Sequence, residues 1–128
     1  MNESFNVLVV DDEEDFLGAL VQRLNIRKIR AHGVKSGEEA LGHLAEKPVD
    51  VVVLDIKMPG MDGLQALKEI KKAHPTVEVI MLTGHASVES GMEGIELGAF
   101  DYLIKPVKLD ELVEKITEAF EHGQTTRT

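Results

Sequence analysis

The stretch from Val49 to Leu54 reads VDVVVL and ends on Asp55. Apart from Asp50 it is an unbroken β-branched and aliphatic run of strand length, without the polar alternation of a strand that shows one face to water. Such a run needs apolar cover on both faces, which a parallel sheet between two helical layers provides. Asn6 to Val10 (NVLVV) and Val77 to Leu82 (VEVIML) repeat the pattern, and Tyr102 to Ile104 is a shorter run. A weaker fifth strand is expected near Lys28 to His32 (KIRAH).

Between these runs the apolar period becomes helical. Phe16, Leu17, Leu20, Val21 and Leu24 form one stripe, and Leu64, Leu67 and Ile70 another. Ser36 with Glu39 three residues on reads as a capping box ahead of Ala40, Leu41 and Leu44. A last helix is expected from about Leu109 to Glu121, with Leu109, Leu112, Val113, Ile116 and Phe120 on one face. The helix from about Ser87 to Leu97 is weaker. Its expected inward face is only Val88, Met92 and Ile95, Gly91 and Gly94 each cost roughly 1 kcal/mol relative to Ala, and Glu89, Glu93 and Glu96 repel one another. Five strand and helix alternations predict a doubly wound α/β sandwich with helices on both faces of a five-stranded parallel sheet.

A chain of 128 residues with 43% apolar content suits one compact domain with a single core and is too short for two. The absence of cysteine excludes disulfides, thiolate nucleophiles and thiolate metal sites. A formal charge of −9 opposes binding to nucleic acid or to an anionic membrane. No apolar run approaches the roughly 20 residues that span a bilayer. The expected location is therefore cytoplasmic, with the domain over residues 1–122 and residues 123–128 (GQTTRT) a polar tail or the start of a linker.

The chemistry lies in what ends the strands. The first run finishes in Asp11 and Asp12, the second in Asp55, the third in Thr83 and the fourth in Lys105. In an open parallel sheet, ligands bind outside the carboxyl ends of the strands. Three carboxylates gathered there would repel one another unless a cation shared the site, and Mg²⁺ with oxygen ligands answers that need. A metal and the Lys105 ammonium together suit the oxygens of a transferring phosphoryl group, which makes Asp55 the candidate nucleophile. Each residue taken singly also has a structural explanation as a helix cap or solvated turn. Their coincidence at four strand ends favours a site.

The segments Leu8 to Glu13 (LVVDDE), Val53 to Gly63 (VLDIKMPGMDG), Met81 to Gly84 (MLTG) and Gly98 to Pro106 (GAFDYLIKP) resemble the receiver domains of bacterial two-component response regulators, in register from about Asn6 to Phe120. The resemblance implies a flavodoxin-like fold with strand order 2-1-3-4-5. It implies a phosphoryl group taken onto Asp55 from the phosphohistidine of a sensor histidine kinase or phosphotransfer protein, with Mg²⁺ as cofactor. By the same resemblance the metal is held by Asp12, Asp55 and the backbone carbonyl of Lys57, with Asp11 holding metal-bound water. Lys105 pairs with the phosphoryl group across a cis bond to Pro106. Thr83 and Tyr102 are the switch residues, and the Lys57 and His85 side chains modulate hydrolysis; His85 as a plain surface residue is an equal reading.

On this reading the chain is a regulatory phosphoacceptor and not an enzyme with a separate substrate. Its output is a changed face formed by the fourth helix, fifth strand and fifth helix, offered to an effector or to an output domain. That face is acidic: Glu89, Glu93, Glu96, Asp110, Glu111, Glu114 and Glu118 outweigh Lys108 and Lys115. A monomer or weak dimer with a preference for a basic partner is expected. Two alternatives are a pseudo-receiver that docks without phosphotransfer and a Mg²⁺-dependent phosphatase. Lys57 stands where such phosphatases carry a second carboxylate. A flavin mononucleotide carrier fits the fold, but the acidic run Asp11 to Asp15 would repel its phosphate. His32, His43, His74 and His122 lack paired metal-ligand spacing and read as surface residues. Met58 and Met61 are expected to seal the turn at Pro59 and Gly60, and Phe100 to pack.

Overall fold

A computed structural model describes residues 5–84 and 88–127, the last three as backbone only. Five strands, β1 (Asn6–Val10), β2 (Arg30–Val34), β3 (Val51–Asp55), β4 (Glu78–Thr83) and β5 (Asp101–Ile104), alternate with five helices. The helices are α1 (Glu14–Ile26), α2 (Gly37–Glu46), α3 (Gly63–Ala73), α4 (Val88–Glu96) and α5 (Leu109–Arg127). All four strand pairings are parallel, in the order β2-β1-β3-β4-β5. The order in which successive strands are laid across the sheet therefore reverses at β1, and β1 and β3 lie next to each other.

Side chains of each central strand divide by parity between the two faces, as the two-residue period of a strand requires. Leu8, Val10, Val52, Leu54, Val79 and Met81 pack against Ala40 and Leu44 of α2 and Ala66, Leu67 and Ile70 of α3. Val7, Val9, Val51, Val53, Ile80 and Leu82 pack against Leu17, Leu20 and Leu24 of α1 and Leu112, Ile116 and Ala119 of α5. Every residue of β3 and β4 is buried, which explains why their sequences carry almost no alternation.

Local chemistry sets the ends of the elements. Ser36 Oγ accepts the Glu39 N–H at 3.1 Å, as predicted, but the Glu39 carboxylate reaches past Ser36 to accept the Lys35 N–H at 2.9 Å. A full reciprocal box sits instead at α3, where Asp62 Oδ1 accepts the Gln65 N–H and Gln65 Oε1 accepts the Asp62 N–H. β2 begins two residues later than expected because Lys28 takes a left-handed conformation (φ 68°) that ends α1, with the Ile29 N–H donating back to the Leu24 carbonyl at 3.0 Å.

Two expectations are corrected. Residues 123–127 continue α5 as helix, past its expected end near Glu121. Gly123 is buried against Glu78, and His122 Nδ1 lies 3.1 Å from Glu78 Oε2, so the helix remains docked on the sheet there. The second correction concerns α4. Its inward face is Gly91 and Gly94, while Val88, Met92 and Ile95 are exposed at 40%, 57% and 42%. The helix lies so close to the sheet that Tyr102 and Met81 occupy the space an inward side chain would need.

Candidate functional site

The parallel sheet brings the carboxyl ends of β1, β3, β4 and β5 to one edge, and the predicted residues arrive there with it. Asp11 is fully buried, Asp55 is 6% exposed and Thr83 is 1% exposed, whereas Asp12 is open to solvent. Among the described residues only four polar side chains are buried, and three of them stand at this edge. Polar burial on that scale needs partners. The Lys105 ammonium supplies them for the two aspartates, 2.8 Å from Asp11 Oδ2 and 3.3 Å from Asp55 Oδ1.

Asp11 is further fixed by the Glu13 N–H, which donates to Oδ1 at 2.9 Å. Its own N–H donates to the Val34 carbonyl at 3.1 Å, continuing the β1 and β2 ladder to the rim. Lys105 is placed by its N–H, which donates to the Thr83 carbonyl at 2.7 Å, and its bond to Pro106 is cis. The Phe16 ring lies 4.5 Å from the ammonium, a cation–π contact, and Glu13 Oε1 is 3.7 Å away. Neither Phe16 nor Glu13 was assigned to the site from the sequence. Phe16 fits a helical apolar stripe equally well, and only the fold points its ring at Lys105.

Behind Asp55 the chain turns through Ile56 to Gly63. The Gly63 N–H donates to the Ile56 carbonyl at 2.7 Å, and a Cβ on Gly63 would collide with the Asp55 carbonyl and the Ile56 Cα. Glycine thus lets the start of α3 close directly under the strand end that carries Asp55. Met58 is buried and Met61 packs against the same core, sealing this loop as expected. Lys57 is exposed on it.

The electrostatics are unbalanced. Burial and the Asp11 charge push the Asp55 carboxyl up to about 6, against the opposing pull of Lys105. Burial alone would lower the Lys105 ammonium, but its hydrogen bond to Asp11 and the charges of Asp55 and Asp11 raise it above its ordinary value. Asp11, Asp12 and Asp55 each offer an oxygen within 4.8 Å of the others. One ammonium among three carboxylates leaves net negative charge, and the donor set is all oxygen. That combination fits a hard divalent cation.

The remaining predicted residues are spread around this centre. Thr83 Oγ1 donates to the Gly84 carbonyl at 3.2 Å. Tyr102 is half-buried on the α4 side, with its ring over Gly91. His85 lies outside the described residues. Of the other histidines, His32 and His43 stack with ring centroids 4.7 Å apart, a pairing across β2 and α2 that their sequence separation hides. Phe100 packs as expected and tilts against His122 at 5.3 Å. No helix among the described residues is long and apolar enough to cross a membrane.

Comparison with known proteins bears on the same edge. Residues 7–117 match the family described as response regulator receiver domain. The chain is 41% identical over 118 residues to the DNA-binding transcriptional regulator NtrC of Salmonella typhimurium, covering 92% of this chain and 25% of that protein. It is 42% identical over 106 residues to the regulatory protein AtoC of Escherichia coli, covering 83% and 23%. It thus spans about a quarter of the length of these curated relatives. Among solved structures, a response regulator receiver domain protein from Clostridium thermocellum superposes with a TM-score of 0.91 at 35% identity, covering 95% of this chain and 98% of that one. NtrX from Brucella abortus superposes with a TM-score of 0.92 at 33% identity over 98% of this chain and 28% of its own. The strand order, the acidic rim facing one lysine and these matches agree: the chain belongs to the receiver-domain family of two-component response regulators.

Proposed function

We propose that this domain is a phosphorylation switch whose acceptor is Asp55. The observation that carries the reading is the placement of a nearly buried Asp55 carboxylate 3.3 Å from the Lys105 ammonium, in a cluster with Asp11 and Asp12. An Asp55 oxygen attacks the phosphorus of a donor phosphohistidine, the phosphorus–nitrogen bond breaks, and the imidazole leaves with a proton while an acyl phosphate forms. Lys105 holds a phosphoryl oxygen through the transfer, and Thr83 turns its hydroxyl from Gly84 toward another as Tyr102 repositions behind it. Asp12, Asp55 and the Lys57 carbonyl would hold Mg²⁺, with Asp11 reaching it through water. The ion supplies charge neutralisation for the transferring group. Lys57 and His85 then modulate hydrolysis.

The donor is a histidine kinase or phosphotransfer protein, which places the domain in the cytoplasm. The readout is a population shift in the face formed by α4, β5 and α5, passed to an effector or to an output domain; the chain spans only a quarter of such a relative's length. Nucleic acid is not a partner of this domain itself. Intact mass after treatment with acetyl phosphate and Mg²⁺ tests the reading. Wild type gains one phosphoryl mass, Asp55→Ala does not, and a chelator added before the donor prevents the gain. If wild type stays unmodified while still binding Mg²⁺, the domain is a pseudo-receiver that signals by docking.

A further inference from the structure

The inward face of α4 is built from absence. A Cβ placed on Gly91 would stand 2.5 Å from both Cγ and Cδ2 of Tyr102 and 3.0 Å from Cδ1, so the phenol ring lies on the bare backbone of the helix. Gly94, one turn on, leaves similar room for Met81, whose Cγ would be 2.9 Å from a new Cβ. Glycine inside a helix ordinarily weakens it, and neither residue has a positive φ that would require glycine. The contact with the ring supplies a reason for Gly91. It also explains why Val88, Met92 and Ile95 face outward, since rotating them inward would drive a side chain into the space held by Tyr102.

We propose that Gly91 is a positioning residue for the switch: its missing side chain is the seat of the Tyr102 ring, and occupancy of that seat opposes the phosphoryl-accepting arrangement. This rests on the receiver reading above and names what regulates it within this chain. In the arrangement seen here the ring is on Gly91 while Thr83 Oγ1 is bonded to the Gly84 carbonyl. A hydroxyl that turns to the phosphoryl group must leave that bond, and the ring that follows it must leave the seat. Filling the seat therefore raises the free energy of the resting arrangement alone and shifts the population toward the other.

Tyr102 is the one tyrosine of the chain, and there is no tryptophan, so tyrosine emission reports this ring alone. The test compares wild type, Gly91→Ala, Tyr102→Ala and the double variant by thermal unfolding, and wild type and Gly91→Ala by fluoroberyllate titration in Mg²⁺. With the ring removed, Gly91→Ala should raise the melting temperature by about 4 °C through helix propensity. With the ring present it should lower it. Gly91→Ala should also move tyrosine emission toward the fluoroberyllate-saturated value and tighten apparent fluoroberyllate affinity about fivefold, the low end of coupling between sites. Gly94→Ala, which meets Met81, should leave both optical readouts at their wild-type values.

Equal stabilisation in both backgrounds overturns the seat. A sign reversal with unchanged or weaker fluoroberyllate affinity makes the contact packing only and overturns the positioning role. If Gly91→Ala does not fold, rescue by Tyr102→Ala supports the seat and failure of rescue overturns it. Absence of any fluoroberyllate response in wild type is a different result. It overturns the phosphoacceptor reading, and with it the positioning role, while the melting comparison still judges the seat.

Discussion

Replacing Asp55 by Asn keeps the shape of the side chain and deletes its charge, which isolates what that charge costs the fold. The Asp55 carboxyl titrates at about 6 in the folded protein against an ordinary value of 3.8. The folded state therefore holds this proton more tightly than the unfolded chain does. The stability contributed by this group is fully present below the ordinary value and is lost as pH rises through the folded one. Between about pH 5 and pH 7.5 the difference in proton uptake amounts to about 1.4 kcal/mol, approaching about 3 kcal/mol over the whole titration. The assay is urea unfolding of both proteins across that range, in chelator. All other carboxylates are common to the two proteins, so the difference between their curves reports the Asp55 charge together with its coupling to Asp11 and Lys105. Asp55→Asn should lack the gain that wild type shows on acidification and should be the more stable protein near neutrality. Mg²⁺ added near neutrality should recover most of the wild-type deficit. Parallel pH profiles for the two proteins would refute the argument.

Lys105→Ala leaves the fully buried Asp11 without its 2.8 Å partner and should cost about 3 kcal/mol near neutral pH in chelator, measured by the same unfolding curves. The loss should shrink on acidification, as the Asp55 carboxyl, pushed up to about 6, takes a proton; a loss equally large in acid would point to packing. Gly63→Ala forces a methyl into the Asp55 carbonyl and should lower stability by about 1–3 kcal/mol and slow acetyl-phosphate labelling. Retention of both would show that the β3–α3 turn relaxes freely. Self-association should be weak, because the glutamates beside the exposed Val88, Met92 and Ile95 repel across a two-fold contact. Sedimentation should show it strengthening as salt screens that repulsion, whereas a tight dimer at low salt would refute the account.

By itself the sequence determined the layered architecture and the residues at its reactive edge. The unbroken aliphatic runs at β1, β3 and β4 require cover on both faces, and the 3.6-residue stripes of α1, α3 and α5 supply it. Polar residues that end such runs stand at the carboxyl edge of a parallel sheet wherever the crossovers place the strands. Asp11, Asp55, Thr83 and Lys105 were legible for that reason, although the strand order came by resemblance and only the backbone pairing displays it. Tertiary structure decided what depends on two distant segments meeting. Phe16 on Lys105, His32 on His43 and His122 on Glu78 have no sequence signature, because each pair joins separate elements. The orientation of α4 belongs here as well. Helical periodicity turns Val88, Met92 and Ile95 toward the sheet, but Tyr102 and Met81 already fill that space, and two glycines are what the remaining gap admits. Periodicity records which residues share a face of a helix, and the volume left by neighbouring elements decides which face turns inward.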